Sequence, residues 1–243
     1  MKIHHTAVVA NDELPHCVAR CSREINRVPS LRERQRHRRR DAMLQAAGEL
    51  FRSRGFAKTT MDNIASDAEV GIATLYNYFG TKEKILVELF RPCLDRSYVE
   101  AEKVLTSPPK EPSRGILEVL RCYRHLQEDW NDRSLLRTFA SVGIGSAGPV
   151  HDLILETDDK LRTQIRSAFD LYAAQGRISE ALDLGSATSI IFALFNQFYY
   201  QFLQRDDISY QEVFADFALL VPALFEPWER DVPRRQTARA SKL

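Results

Sequence analysis

A chain of 243 residues with 44% hydrophobic and 28% charged residues has the apolar content of a globular protein, which excludes disorder throughout. The net charge of +1 hides a strong local bias: residues 20–40 hold nine arginines against Glu24 and Glu33, an excess of +7. Four cysteines (Cys17, Cys21, Cys93, Cys122) are too few for a disulfide framework and fit a reducing compartment.

Residues 1–33 show no sustained hydrophobic period and read as a disordered basic arm. Its arginines are either solvated or an electrostatic footprint on an anionic partner. The start of the chain lacks the apolar run of a signal peptide, so a cytoplasmic location is expected. His16, Cys17 and Cys21 lack a second ligand pair at metal-site spacing, and no metal is expected there.

From Arg38 the pattern changes. Met43, Ala46, Ala47, Leu50 and Phe51 recur at three- and four-residue spacing, the mark of an amphipathic helix that stops at "SRGF", where Gly55 suits a left-handed cap. Thr60 is placed to cap a short helix with Met61, Ile64, Ala65 and Ala68 inward. The chain turns at "EVG", and a second short helix from Ile72 puts Leu75 and Phe79 on one face, leaving Ala73, Thr74, Tyr76 and Asn77 outward. Gly80 ends it, and Thr81 caps a fourth helix carrying Ile85, Leu86, Leu89 and Phe90. Two short helices joined by a tight turn and packed on a longer one make a helix-turn-helix.

"SPPKEPSRG", with three prolines in five positions, marks a boundary or loop. Helical patterns follow at about 113–130, 133–143, 150–175, 186–204 and 210–225, with no period-two strand run. In the stretch 186–204, Ile191, Phe195, Phe198 and Phe202 form one apolar stripe and Phe192, Asn196, Tyr199 and Leu203 a neighbouring one, so this helix is expected to be buried on two sides. Neither "SIIFALFNQFYYQFL" nor "FADFALLVPALF" reaches the roughly 18 to 20 clean residues of a membrane span, and no membrane partner is expected. The closing "SKL" matches a peroxisomal address, but so short a match in a polar tail arises readily by chance. There is no glycine-rich phosphate loop, nucleophile elbow or metal-binding array, so neither an enzyme nor a cofactor is expected. The fold class is all-α. The arm (1–33) precedes a three-helix helix-turn-helix domain (34–90), a larger helical effector-binding and dimerisation domain (91–228) and a polar tail (229–243).

The segment from Arg40 to Leu86, with its core "TTMDNIASDAEVGIATLYNYFGTKEKIL", resembles the DNA-binding domain of the tetracycline-repressor (TetR) family of bacterial regulators. Thr74, Leu75, Tyr76, Asn77, Tyr78 and Phe79, followed by Lys82 and Glu83, supply the family's Thr-Leu-Tyr-x-Tyr-Phe and Lys-Glu pattern. Two positions depart from it: Glu69 stands where the turn is usually glycine, and Gly71 where the cap is usually serine. Gly71 is expected to serve as cap and to supply the turn's unusual backbone angles.

The resemblance implies that Thr60, Thr74, Tyr76, Tyr78 and Lys82 touch phosphates, which position the domain without specifying sequence. Ala73 against a thymine methyl and Asn77 bidentate to adenine are the base-edge candidates, with Ile72 either joining them or turning inward. No arginine lies on this helix, so sequence choice is expected to lean on groove shape. The arginines from Arg32 to Arg40, including Arg38, Arg39 and Arg40, are expected over the DNA backbone and partly in the minor groove.

The family's dimers imply a seam made by one stripe of 186–204 (Phe195, Phe198, Phe202) with Phe214, Phe217, Leu220 and Leu224. For an effector pocket, Trp130, Phe139, Phe169 and Phe192 offer apolar walls and His151 and Asn196 polar groups, with plain core packing the competing reading of each. The implied function is a homodimeric repressor that binds a palindromic DNA operator and is released by a small apolar or amphipathic effector. The competing class is an all-α small-molecule-binding or scaffold protein whose helix-turn-helix no longer binds DNA. Glu69 and the arginine-free helix favour it, and the arginine block opposes it.

Overall fold

The computed structural model describes residues 30–124, 133–226 and 228 and separates two units, 1–42 and 43–243. His16, Cys17, Cys21, Trp130 and the closing "SKL" lie outside the described residues. Among the described residues the chain forms nine α-helices, one 3-10 turn and no strand.

In the first unit, Ser30 and Glu33 begin helix α1 (Leu31–Arg54) with a reciprocal cap. The Glu33 amide donates to Ser30 Oγ (3.2 Å) and the Ser30 amide to the Glu33 carboxylate (2.7 Å). The helix therefore starts seven residues before Arg38, and Leu31 to Glu33 are helical where an arm was expected. The cap explains this: two orphan amides are satisfied without any apolar face, a local signal that hydrophobic periodicity does not carry.

In the second unit, Met43, Ala46, Ala47, Leu50 and Phe51 are buried as their spacing predicts. Gly55, at φ +80°, takes the left-handed cap. Helix α2 (Met61–Asp67) opens on a capping box between Thr60 and Asn63 and buries Met61, Ile64 and Ala65. Helix α3 (Ile72–Phe79) buries Leu75 and Phe79 and closes at Gly80, φ +74°. Between α2 and α3, Gly71 is the N-cap of α3 as expected but does not supply the unusual angles: its φ is an ordinary −67°, and Glu69 carries the positive φ of +53°. The Val70 amide reaches back to the Ala65 carbonyl (2.9 Å) and the Glu69 amide to that of Ser66 (3.2 Å), the double bond of a Schellman cap. That cap demands its left-handed residue just past the helix end, which is Glu69.

Helix α4 (Lys82–Thr106) starts from Thr81, whose hydroxyl accepts from the Lys84 amide. Its inner face runs Ile85, Leu86, Leu89, Phe90, Cys93, Leu94, Ser97 and Ala101 without a break, so the expected 90/91 boundary falls inside one helix. Helix α5 (Pro112–Arg121) tightens into the 3-10 turn Cys122–Arg124, and α6 (Arg133–Gly145), α7 (Pro149–Ala174), α8 (Leu184–Gln204) and α9 (Tyr210–Phe225) follow. The long α7 packs against α4, α5, α6 and α8, so its inward residues Leu161, Ile165, Ala168, Phe169 and Tyr172 form the centre of this domain. Phe169 stacks parallel on Phe225 at 5.5 Å. Gly115 leaves room for the Tyr172 ring, whose hydroxyl donates to the Pro109 carbonyl at 2.9 Å.

Candidate nucleic-acid interface and effector cavity

Burying Leu75 and Phe79 on α3 leaves Ile72, Ala73, Tyr76 and Asn77 as one exposed face, with Thr74 and Tyr78 half-buried at its edges. Ile72 thus joins the outward set, and Tyr76, half-exposed, projects farther than a core tyrosine would. The face carries hydroxyls, an amide and methyls, with no acid and no arginine. Thr60 is exposed and its oxygen accepts from the Asn63 amide, which leaves the hydroxyl proton free to be donated outward.

Lys82 has a role that spacing does not reveal. Its ammonium donates to the carbonyls of Phe56 (2.6 Å) and Thr59 (2.9 Å) and stands 4.2 Å from the Phe56 ring centre. Burial lowers the Lys82 pKa, while Glu83 opposes the shift. The side chain pins the loop before α2 to the start of α4 with two of its three N–H donors. Thr59 completes the corner from inside: it is fully buried, and its hydroxyl meets the Leu50 and Gly55 carbonyls.

Arg38, Arg39 and Arg40 stand on α1, the first two exposed and Arg40 half-buried. A helix about 10–12 Å across does not enter a minor groove about 6 Å wide, so the minor-groove placement expected for Arg32 to Arg40 does not suit this stretch as folded.

The helical domain holds a half-open cavity of about 330 Å³, with the exposed Ile144 and Tyr200 among its lining. Leu94 of α4, Phe139 and Ile144 of α6, Ile154, Thr157, Asp158 and Leu161 of α7, and Phe195, Asn196, Tyr199 and Leu203 of α8 line it, with Tyr123. Of the residues expected at a pocket, Phe139 and Asn196 are there. Phe169, His151 and Phe192 are not. Phe169 is fully buried in the stack with Phe225, His151 Nδ1 pairs with the Gly143 carbonyl at 2.8 Å, and Phe192 is buried beneath the Arg162 guanidinium, 3.6 Å from its ring centre. These are packing roles, because each points to a helix neighbour and away from the hollow. Asp158, Tyr123 and Tyr199 were missed. The signal for Asp158 was present: it shares the apolar i, i+3, i+4 row of α7 with Ile154, Leu161 and Ile165. Burial pushes its carboxyl above the usual carboxylate range, while Arg162 pulls it back and Asp159 adds to the rise.

The expected seam residues divide. Phe195, Phe202, Phe214 and Phe217 are buried within the protomer, and the Phe217 ring packs against Phe195, Phe198 and Phe214 at 5.3–5.9 Å. Phe198 and Leu224 are half-buried and Leu220 is exposed. The open apolar row lies one position round each helix: Ile190, Ala193 and Leu194 on α8, and Ala215, Leu219, Leu220 and Ala223 on α9. The phenyl rings are long enough to reach the core between α8 and α9, which leaves the shorter aliphatics outside.

Residues 43–89 match the family model described as bacterial regulatory proteins, tetR family. Curated relatives include the HTH-type transcriptional regulator EthR of Mycolicibacterium smegmatis, 32% identical over 78 residues, which are 32% of this chain and 36% of that protein. The HTH-type transcriptional repressor KstR2 of the same organism is 37% identical over 73 residues, 29% of this chain and 36% of that one. The chain thus spans about a third of the length of the curated relatives it matches. Among solved structures, KstR2 of Mycobacterium tuberculosis aligns over 84% of this chain and 98% of its own with a TM-score of 0.56 at 17% identity. The SmeT–triclosan complex aligns over 80% and 93% with a TM-score of 0.61 at 17% identity. At these identities the likeness is one of fold, and it extends through both helical domains.

Proposed function

We propose that this chain, whose residues 43–89 match the tetR family model, is a repressor that binds a palindromic operator as a dimer and leaves it when a small molecule fills the α6–α8 cavity. One observation carries the reading. Helix α4 begins in the core of the helix-turn-helix, through Ile85, Leu86 and Leu89, and continues as one helix past Pro92, which removes one backbone hydrogen bond, to the cavity wall at Leu94. Around that passage Phe90 packs on Phe139 at 4.3 Å, Arg91 pairs with Glu156 at 2.5 Å, and Tyr98 with Thr157 at 2.9 Å. An occupant that shifts α6 or α7 therefore acts on the rod that carries α3.

Two recognition helices on a palindrome have to stand about 34–36 Å apart, one turn of DNA. An effector that favours another spacing lowers affinity, with a coupling of about 1–3 kcal/mol typical of such linkage. In this reading Thr60, Thr74, Tyr76 and Tyr78 hold phosphates, Ala73 and Asn77 read base edges, and Arg38, Arg39 and Arg40 add charge along the backbone. The open row Ile190, Ala193, Leu219 and Leu220 is the dimer seam. SmeT, a structural neighbour, is known with triclosan bound, which fits an apolar effector here.

The test is fluorescence anisotropy on the DNA upstream of the chain's own gene, with excess unrelated DNA. Tight, salt-sensitive binding is expected, with Asn77→Ala relaxing discrimination by about 1–3 kcal/mol and Tyr76→Phe weakening all fragments alike. Equal, weak binding to every fragment of a genome-wide selection would overturn the repressor reading.

A further inference from the structure

The cavity is apolar and aromatic, yet it contains a carboxylate. Asp158 makes no hydrogen bond among the described residues. Arg162, one turn on, lies over the Phe192 ring at 3.6 Å; its charge acts on Asp158 at a distance, without a hydrogen bond or direct ion pair between them. The other polar groups of the wall are mostly committed: Thr157 donates to the Leu153 carbonyl at 2.7 Å and pairs with Tyr98, and the Tyr123 phenol donates to Gln164 at 2.8 Å. No lysine, arginine or histidine is among the lining residues.

Such a hollow discriminates by charge. An anion would be repelled by Asp158 with no cation in the lining to offset it, and a neutral apolar molecule would cover the carboxylate without pairing it. A cation satisfies the carboxylate and also lies against ring faces whose quadrupole attracts positive charge. The volume, about 330 Å³, sits near the lower end of the roughly 300–1,000 Å³ found for small-molecule sites, so the occupant is compact.

We propose that this cavity takes a small lipophilic cation, an amine or quaternary ammonium carrying an aromatic or aliphatic body, with its charge held by Asp158 and its body by Phe139, Phe195 and Tyr199. The proposal rests on the reading of the cavity as the effector site and adds the ligand class. Asn196, one helix across, is a further polar residue of the lining, beside Tyr199 and Tyr200, and its amide oxygen can accept from an amine N–H.

Isothermal titration calorimetry on the full-length protein at neutral pH, without DNA, tests the class. The probes are benzyltrimethylammonium and 2-methyl-1-phenylpropan-2-ol, a neutral molecule of nearly the same shape. The cation is expected to bind at least about 10-fold tighter than the alcohol, and Asp158→Asn to remove that preference while the alcohol's affinity stays within about 2-fold. Far-UV circular dichroism on the variant separates lost charge from lost fold, and Asp158→Glu is expected to keep the preference for the cation. Equal affinities, no heat from either probe, or an undiminished preference in folded Asp158→Asn would each overturn the proposal. Adding the cation to the operator anisotropy assay keeps the two readings apart. A cation that binds through Asp158 without releasing DNA would sink the effector reading alone. Release by a neutral molecule with no cation preference would sink only the ligand class.

Discussion

Replacing Glu69 by glycine is expected to stabilise the protein, which is unusual for a change to glycine. Glu69 sits at φ +53° in the left-handed position of the α2 cap, and its side chain is exposed. An L-residue there costs about 1–2 kcal/mol relative to the right-handed region, whereas glycine costs the unfolded chain about 0.4–1 kcal/mol in added freedom. The difference leaves Glu69→Gly about 0.5–1 kcal/mol more stable, which in a domain of this size raises Tm by about 1–4 °C. Differential scanning calorimetry measures it against two controls. Glu69→Ala removes the charge and keeps the strain, so its Tm should stay near wild type, while Glu69→Asn, tolerant of the left-handed region, should fall between wild type and glycine. An unchanged or lowered Tm for Glu69→Gly, or an equal gain for alanine, would refute the strain argument. The charge is read separately, because glycine and alanine alike should tighten non-specific DNA binding at low salt.

Gly115→Ala should destabilise by about 1–3 kcal/mol, because a Cβ there falls 1.8 Å from the Tyr172 hydroxyl, and chemical denaturation with Tyr172→Phe as companion measures it. Burial pushes the Cys122 thiol up to about 11, so the thiolate is scarce at neutral pH. Iodoacetamide labelling read peptide by peptide should spare Cys122 until the protein unfolds, and its modification in the folded state at pH 7 would contradict the assigned burial. Leu219→Asp, at a side chain 77% exposed, should leave the monomer's helicity intact and lower the mass seen by light scattering from dimer to monomer. A dimer that persists would move the seam elsewhere.

The helix-turn-helix was legible because each of its decisions is local. Thr60, Thr81, Gly55 and Gly80 stop and start helices by their own backbone chemistry, and the inward set of Leu75 and Phe79 follows from a four-residue spacing. The start of α1 was missed because Ser30 and Glu33 form a cap with no hydrophobic period behind it. The cavity was half legible. Phe139 and Asn196 lie on it, but Phe169, Phe192 and His151 face other helices, and which face of a long apolar helix meets a void depends on partners far away in the chain. The same holds for α8, where two apolar stripes were visible and both proved mostly internal. Asp158 was the exception, a charge on an apolar row whose meaning needed only the helix period to be noticed.

Helix α4 is a rod of 25 residues, about 37 Å at 1.5 Å per residue. Leu94 lies near its middle, about 18 Å from Lys82, so a tilt of about 5° there carries the start of the helix through about 1.6 Å. The same rigidity makes its length a coded quantity. One residue inserted between Phe90 and Leu94 would lengthen the rod by about 1.5 Å and turn the reading head by about 100° about the axis, with every buried contact on one side out of phase. Loops elsewhere in the chain have latitude to drift in length. This helix has none between Ile85 and Leu94, where its residue count sets the angle between the helix-turn-helix and the cavity wall.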